Sequence, residues 1–264
     1  MNRKGAEFVY SVLIRFHLTR KLVFFGLVYY LSRVAGLDFT LGIRPFVGFL
    51  AFFLAYSSIY FVNDLLDSDF DKKRKNNTYP KPLAMEIATP RDYINLSYLH
   101  SILGLSACFL FSQVLGVLTL LNLLVAHIRH FVKPIIPRTA LIMLLEFLNL
   151  QAITAAFDPA NILNPTLLVI YGIVSVFYAF LYFGYRHEKI SEKAIFSGFA
   201  LAAVLILAYS WIKAFEFARI AFLIFLIFVY SVVWFISVRF LRKDWLMDIV
   251  QFLGALVLMA AGSL

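Results

Sequence analysis

Apolar residues along this chain fall in long unbroken runs, at roughly 22–41, 46–65, 94–112, 114–126, 138–157, 166–185, 194–212, 217–237 and 246–263. Runs of this kind are expected to cross a bilayer, because about 20 helical residues span its hydrocarbon core. In lipid every backbone amide needs an internal partner, so each run must be a helix or part of a closed barrel. The runs do not alternate with period two, which excludes the barrel. The pattern predicts an all-α polytopic membrane bundle of nine transmembrane helices. Eight is the alternative, because only a tight turn fits between Ser112 and Gly116 and the fourth run is short unless its helix passes His127. One membrane-embedded domain over 1–264 follows, with halves at about 1–135 and 136–264.

Composition strengthens this picture. Of 264 residues, 62% are hydrophobic and 15% charged, against roughly 25% charged in a soluble domain. The net charge of +9 does not point to nucleic acid, because the basic residues sit in short loops between apolar runs, as topology determinants do. The N-terminal segment and the loops after the second, fourth, sixth and eighth runs hold all 24 Lys and Arg except Arg33, Arg44, Lys213 and Arg219. With nine spans this bias predicts a cytoplasmic N-terminus and cytoplasmic even-numbered loops. The sequon Asn76-Asn77-Thr78 would then not meet glycosylation machinery. Arg3 and Lys4 do not lead into an apolar stretch with a small-residue cleavage site, so no cleaved signal peptide is expected. The single cysteine, Cys108, permits no intrachain disulfide.

The densest acidic group is Asn63-Asp64-Leu65-Leu66-Asp67-Ser68-Asp69-Phe70-Asp71, at the end of the second apolar run. If the helix continues, Asp64, Asp67 and Asp71 fall within about 60° of one another, with Asn63 beside them and Asp69 on the opposite side. One aspartate would suffice to end a span. Three on one stripe repel each other unless a cation joins them. Hard oxygen ligands of this kind suit Mg²⁺, which binds through one or two carboxylates together with substrate phosphates. Lys72 to Lys75 fit an anchor to anionic head groups of membrane lipids. Lys81, before Pro82-Leu83, is placed to present its ammonium to a phosphate.

A fainter second group follows the sixth run. Glu188 and Glu192 are four apart and would share a helix face, at the same depth and on the same side as the first group. Lys189 and Lys193 either contact the same phosphates or pair with these glutamates. Asp244 and Asp248 fit the favourable charge at a helix N-terminus. Within the apolar runs Glu146, Asn149 and Gln151 stand out; a carboxylate at that depth should face the bundle interior. Either an acceptor pocket or a structural interhelical bond accounts for them. His100, His127 and His130 do not make a ligand-spaced set.

A carboxylate cage at the membrane boundary, ammonium groups beside it and an aromatic-rich bundle match a substrate with a diphosphate head and a long hydrocarbon tail. Metal and lysines would neutralise charge on the departing diphosphate. Rings such as Tyr60 and Tyr182 could stabilise allylic cation character through their faces.

Asn63-Asp64-x-x-Asp67-x-x-x-Asp71 followed by Lys81-Pro82-Leu83 resembles the first signature of the UbiA superfamily of intramembrane prenyltransferases, commonly N-D-x-x-D-x-x-x-D and then R-P-L. Glu188-x-x-x-Glu192, with Ala194 after it, is similar to the second signature, usually D-x-x-x-D. Arg129, Lys133 and Pro134 resemble the basic loop between the two. The resemblance implies nine helices around a central lipid-open cavity, both signatures on the cytoplasmic side, and Mg²⁺-dependent transfer of a prenyl group from a prenyl diphosphate to an acceptor. It implies Asn63, Asp64, Asp67, Asp71, Glu188 and Glu192 as metal-binding residues, and Lys81 and Lys133 as phosphate contacts. The acceptor is not selected: an aromatic ring, a polar lipid precursor, haem, or a phosphoribosyl donor attacked by a polyprenyl phosphate all remain open. A transporter or non-catalytic binder of lipid diphosphates is the alternative of another class. It would predict Gly- or Pro-broken spans in matched positions of the two halves, and none is evident.

Overall fold

Apolar runs free of internal breakers fold as helices, and the computed structural model describes residues 18–73, 83, 86, 88–186, 192–213, 217–236 and 244–263. Among them are nine helices: α1 (Leu18–Val34), α2 (Ile43–Lys73), α3 (Pro90–Phe111), α4 (Gln113–Phe131), α5 (Ile135–Phe157), α6 (Pro165–Arg186), α7 (Glu192–Lys213), α8 (Phe217–Ile236) and α9 (Asp244–Ser263). Their boundaries have local causes. Thr89 and Asp92 form a reciprocal capping box before α3, with Pro90 in its first turn. Ser112 alone, in extended conformation, separates α3 from α4. Asp158 caps the 3₁₀ turn Pro159–Asn161 after α5, and the Asn164 side chain accepts from the backbone N–H groups of Thr166 and Leu167 at the start of α6.

Consecutive helices pack as neighbours and α9 returns to lie along α1. Helix α5 also touches α1 and α2, so it is enclosed on nearly every side: 67% of its apolar window is buried, against 17% for α3. The distribution of polarity is compatible with a membrane. Leu99, Ile102, Leu103, Leu110, Leu120, Leu121 and Leu124 are exposed, whereas Lys21, Asn122, Glu146, Asn149, Gln151 and Thr154 are buried. Polar side chains join helices inside: Ser57 to His100 Nδ1 at 2.6 Å, Ser97 to the Ser58 carbonyl at 3.1 Å, and Thr154 to the Tyr171 hydroxyl at 2.7 Å. Such bonds hold helices together where apolar burial supplies no driving force. The chain is a helical, membrane-compatible protein with several apolar helices.

The all-α expectation stands, but nine transmembrane helices, or eight, do not. Among the described residues four helices are long and apolar enough to cross a membrane: Ile43–Ser68, Pro90–Phe111, Gln113–Phe131 and Ile136–Phe157. Within α6, α7, α8 and α9 the described apolar stretches are Pro165–Phe180, Phe196–Ile212, Ala218–Val229 and Ile249–Ser263, at 10–17 residues, and α1 has 17 residues including Arg20, Lys21 and Arg33. At 1.5 Å per residue, 17 residues rise about 26 Å, short of the roughly 30 Å hydrocarbon core. Among the described residues the long apolar candidate spans therefore number four, not nine or eight. The central lipid-open cavity is also not what occupies the crossing of α1, α2 and α5. Phe25 lies 4.7 Å from Phe157 and 5.1 Å from Phe49 between ring centroids, and Phe39 stacks on Phe157 at 5.3 Å.

Candidate functional site

Helix α2 is 31 residues long, about 46 Å at 1.5 Å per residue, and its last turns therefore extend beyond a hydrocarbon core of roughly 30 Å. The acidic stripe occupies those turns. Asp64 is half-buried and Asp67 exposed. On the same side of the helix, toward its start, lie Phe49, Phe53, Tyr56 and Tyr60, within about 60° of one another by helical geometry. They include two ring pairs, Phe49 with Phe53 at 6.4 Å and Tyr56 with Tyr60 at 5.6 Å between centroids. An aromatic stripe therefore runs up α2 and ends one turn before the carboxylates.

The end of α4 meets this site. Arg129 Nη2 donates to Asn63 Oδ1 at 3.3 Å, so the two helix C-termini lie at one end of the bundle. Arg129 in the last turn of α4 suits the negative end of its dipole, but the bond to Asn63 gives it a second partner on α2. Arg129 Nε and His130 Nε2 are buried without a hydrogen-bond partner among the described residues. Lys133, just beyond α4, is exposed. The opposite end of the bundle holds Arg33 and Arg219: Arg33 Nε donates to the Gly262 carbonyl, and Arg219 Nη1 to that of Arg33, each at 3.1 Å. Arg44 lies there too, 5.8 Å from the Phe111 ring. Beside the acidic stripe, Ser68, Leu83, Glu86, Ala88, Thr89 and Pro90 line a cleft of about 260 Å³.

Of the residues expected in the site, the structure brings together Asn63, Asp64, Asp67 and Tyr60 on α2, with Arg129 against Asn63. Asp71 lies on α2, Tyr182 on α6, and Glu192 and Lys193 in the first turn of α7, but their side chains fall outside the described residues. Lys81, Glu188 and Lys189 lie wholly outside them. Among the described residues no group of three or more His, Cys, Asp or Glu side chains is arranged to hold a metal. The oxygens that are described, those of Asn63, Asp64 and Asp67, have the hard-donor chemistry that magnesium takes with one or two carboxylates and a substrate's phosphates.

A second polar cluster lies deeper. Lys21 Nζ is 3.8 Å from Glu146 Oε2, with side chains 0% and 4% exposed. The same ammonium sits 3.9 Å from the centroid of the Tyr56 ring. Glu146 accepts from Asn149 Nδ2 at 2.8 Å, and Asn149 Oδ1 accepts from Asn122 Nδ2 at 2.9 Å. Four helices meet here: α1, α2, α4 and α5. Glu146 and Asn149 were legible as anomalies in an apolar run. Lys21 was read only as one of the basic residues of the N-terminal segment, and Asn122, a lone amide among leucines, was the missed signal. Gln151 faces another side of α5 and its Nε2 lacks a partner among the described residues.

A search of known protein families finds none that matches this chain, and no curated protein matches it.

Proposed function

We propose that this chain is a membrane-embedded, Mg²⁺-dependent prenyltransferase of the UbiA kind, moving an isoprenoid group from a prenyl diphosphate to an acceptor and releasing diphosphate. The observation that carries the reading is the continuity of α2: an aromatic stripe leads directly to Asn63, Asp64 and Asp67 at the end of an apolar span, with the Arg129 guanidinium on the Asn63 oxygen. A prenyl diphosphate has the same two parts. Its tail suits the apolar helix surfaces below this end, and its head favours the polar helix end. Magnesium, bound through Asn63, Asp64, Asp67 and Asp71, would neutralise charge developing on the leaving diphosphate. Arg129 adds a fixed guanidinium suited to phosphate oxygens, and Lys81 and Lys133 are proposed as further phosphate contacts. Glu188 and Glu192 are proposed as a second carboxylate pair, because α6 carries the chain back from the turn after α5 and α7 begins at Glu192. Lys189 and Lys193 flank them. The faces of Tyr60 and Tyr182 are proposed to stabilise positive charge on the allylic carbon. The basic bias of the loops supports a cytoplasmic placement of the N-terminus and of this end of the bundle.

The test uses detergent-purified protein, tritiated geranylgeranyl diphosphate and a panel of acceptors. Transfer should require magnesium and fall by about 10²-fold or more in Asp64→Ala and Asp71→Ala, as when charge-stabilising groups are removed from other transferases and hydrolases. Turnover that survives chelation, or that is unchanged in both variants, would refute the mechanism. Metal-coupled flux of the intact lipid diphosphate across liposomes without product would replace it with transport.

A further inference from the structure

We draw no further inference here: the strongest candidate, the half-buried basic side-chain cluster of Arg129, His130 and Arg138 where α4 turns into α5, belongs to the site already described, at the Asn63–Arg129 contact.

Discussion

Replacing Gly104 by alanine should loosen the pair of helices that carries the acidic stripe. Helix α3 crosses α2 at this glycine so closely that a Cβ would lie 2.1 Å from the Ala55 backbone nitrogen, 2.5 Å from its Cα and 2.8 Å from its Cβ. Ordinary van der Waals contact begins at 3.4 Å. Moving from 2.1 to 3.4 Å requires the helices to part by roughly 1.3 Å at this point. The obstructing atoms are backbone, so no rotamer change relieves them. Overpacking of a close-packed site costs about 1–3 kcal/mol, and the rigid neighbour puts Gly104→Ala at the upper end. A loss of about 3 kcal/mol is roughly a hundredfold in the ratio of folded to unfolded protein. The separated helices also lose the Ser57–His100 and Ser97–Ser58 bonds one and two turns away. Thermal unfolding in detergent, followed by circular dichroism, provides the readout. Gly254→Ala is the control, because a Cβ there meets nothing within 4 Å, and removing a helical glycine at an open site stabilises by up to about 1 kcal/mol. If Gly104→Ala unfolds with the wild-type chain, or if Gly254→Ala is equally damaging, the close crossing of α2 and α3 is wrong.

Three further outcomes are expected. Thr89→Ala removes the capping box of α3 and should lower stability by about 1 kcal/mol, as loss of an N-cap does elsewhere; Thr89→Ser should restore it in the same unfolding assay. Tyr171→Phe deletes the hydroxyl bonded to Thr154 between α6 and α5. Since Thr154 keeps its bond to the Leu150 carbonyl, the cost should stay near 1 kcal/mol, and a larger loss would show that the tyrosine holds more than this contact. Arg129→Ala should weaken magnesium-dependent binding of geranylgeranyl thiolodiphosphate about tenfold or more, with Arg129→Lys recovering only part, because lysine lacks the planar fork. Unchanged binding in Arg129→Ala would confine this residue to holding Asn63.

Much of this was open to reading in the linear chain, and for definite reasons. Long apolar runs dictate helices because backbone amides in lipid have no other partner, so the all-α class followed without tertiary information. The stripe of Asp64, Asp67 and Asp71 was legible because helical periodicity is local, and the ends of α3 and α6 are written in Thr89-Pro90 and Asn164-Pro165. Span number was not legible. Nine apolar runs suggested nine spans, whereas four helices are long and apolar enough to cross a membrane among the described residues. Partner choice across helices was not legible either. Lys21 and Glu146 are 125 residues apart in sequence, and what makes them meet, beside Tyr56 and Asn122, is the packing of α5 against α1, α2 and α4. The same packing sets Arg129 against Asn63, where the chain alone offered only a basic loop. Sequence determined which segments are helices and which face of α2 carries the carboxylates, since both are matters of local periodicity. The pairing of buried charges is a long-range event. It was decided by tertiary structure, because a buried ammonium and a buried carboxylate are tolerated only where packing delivers each to the other.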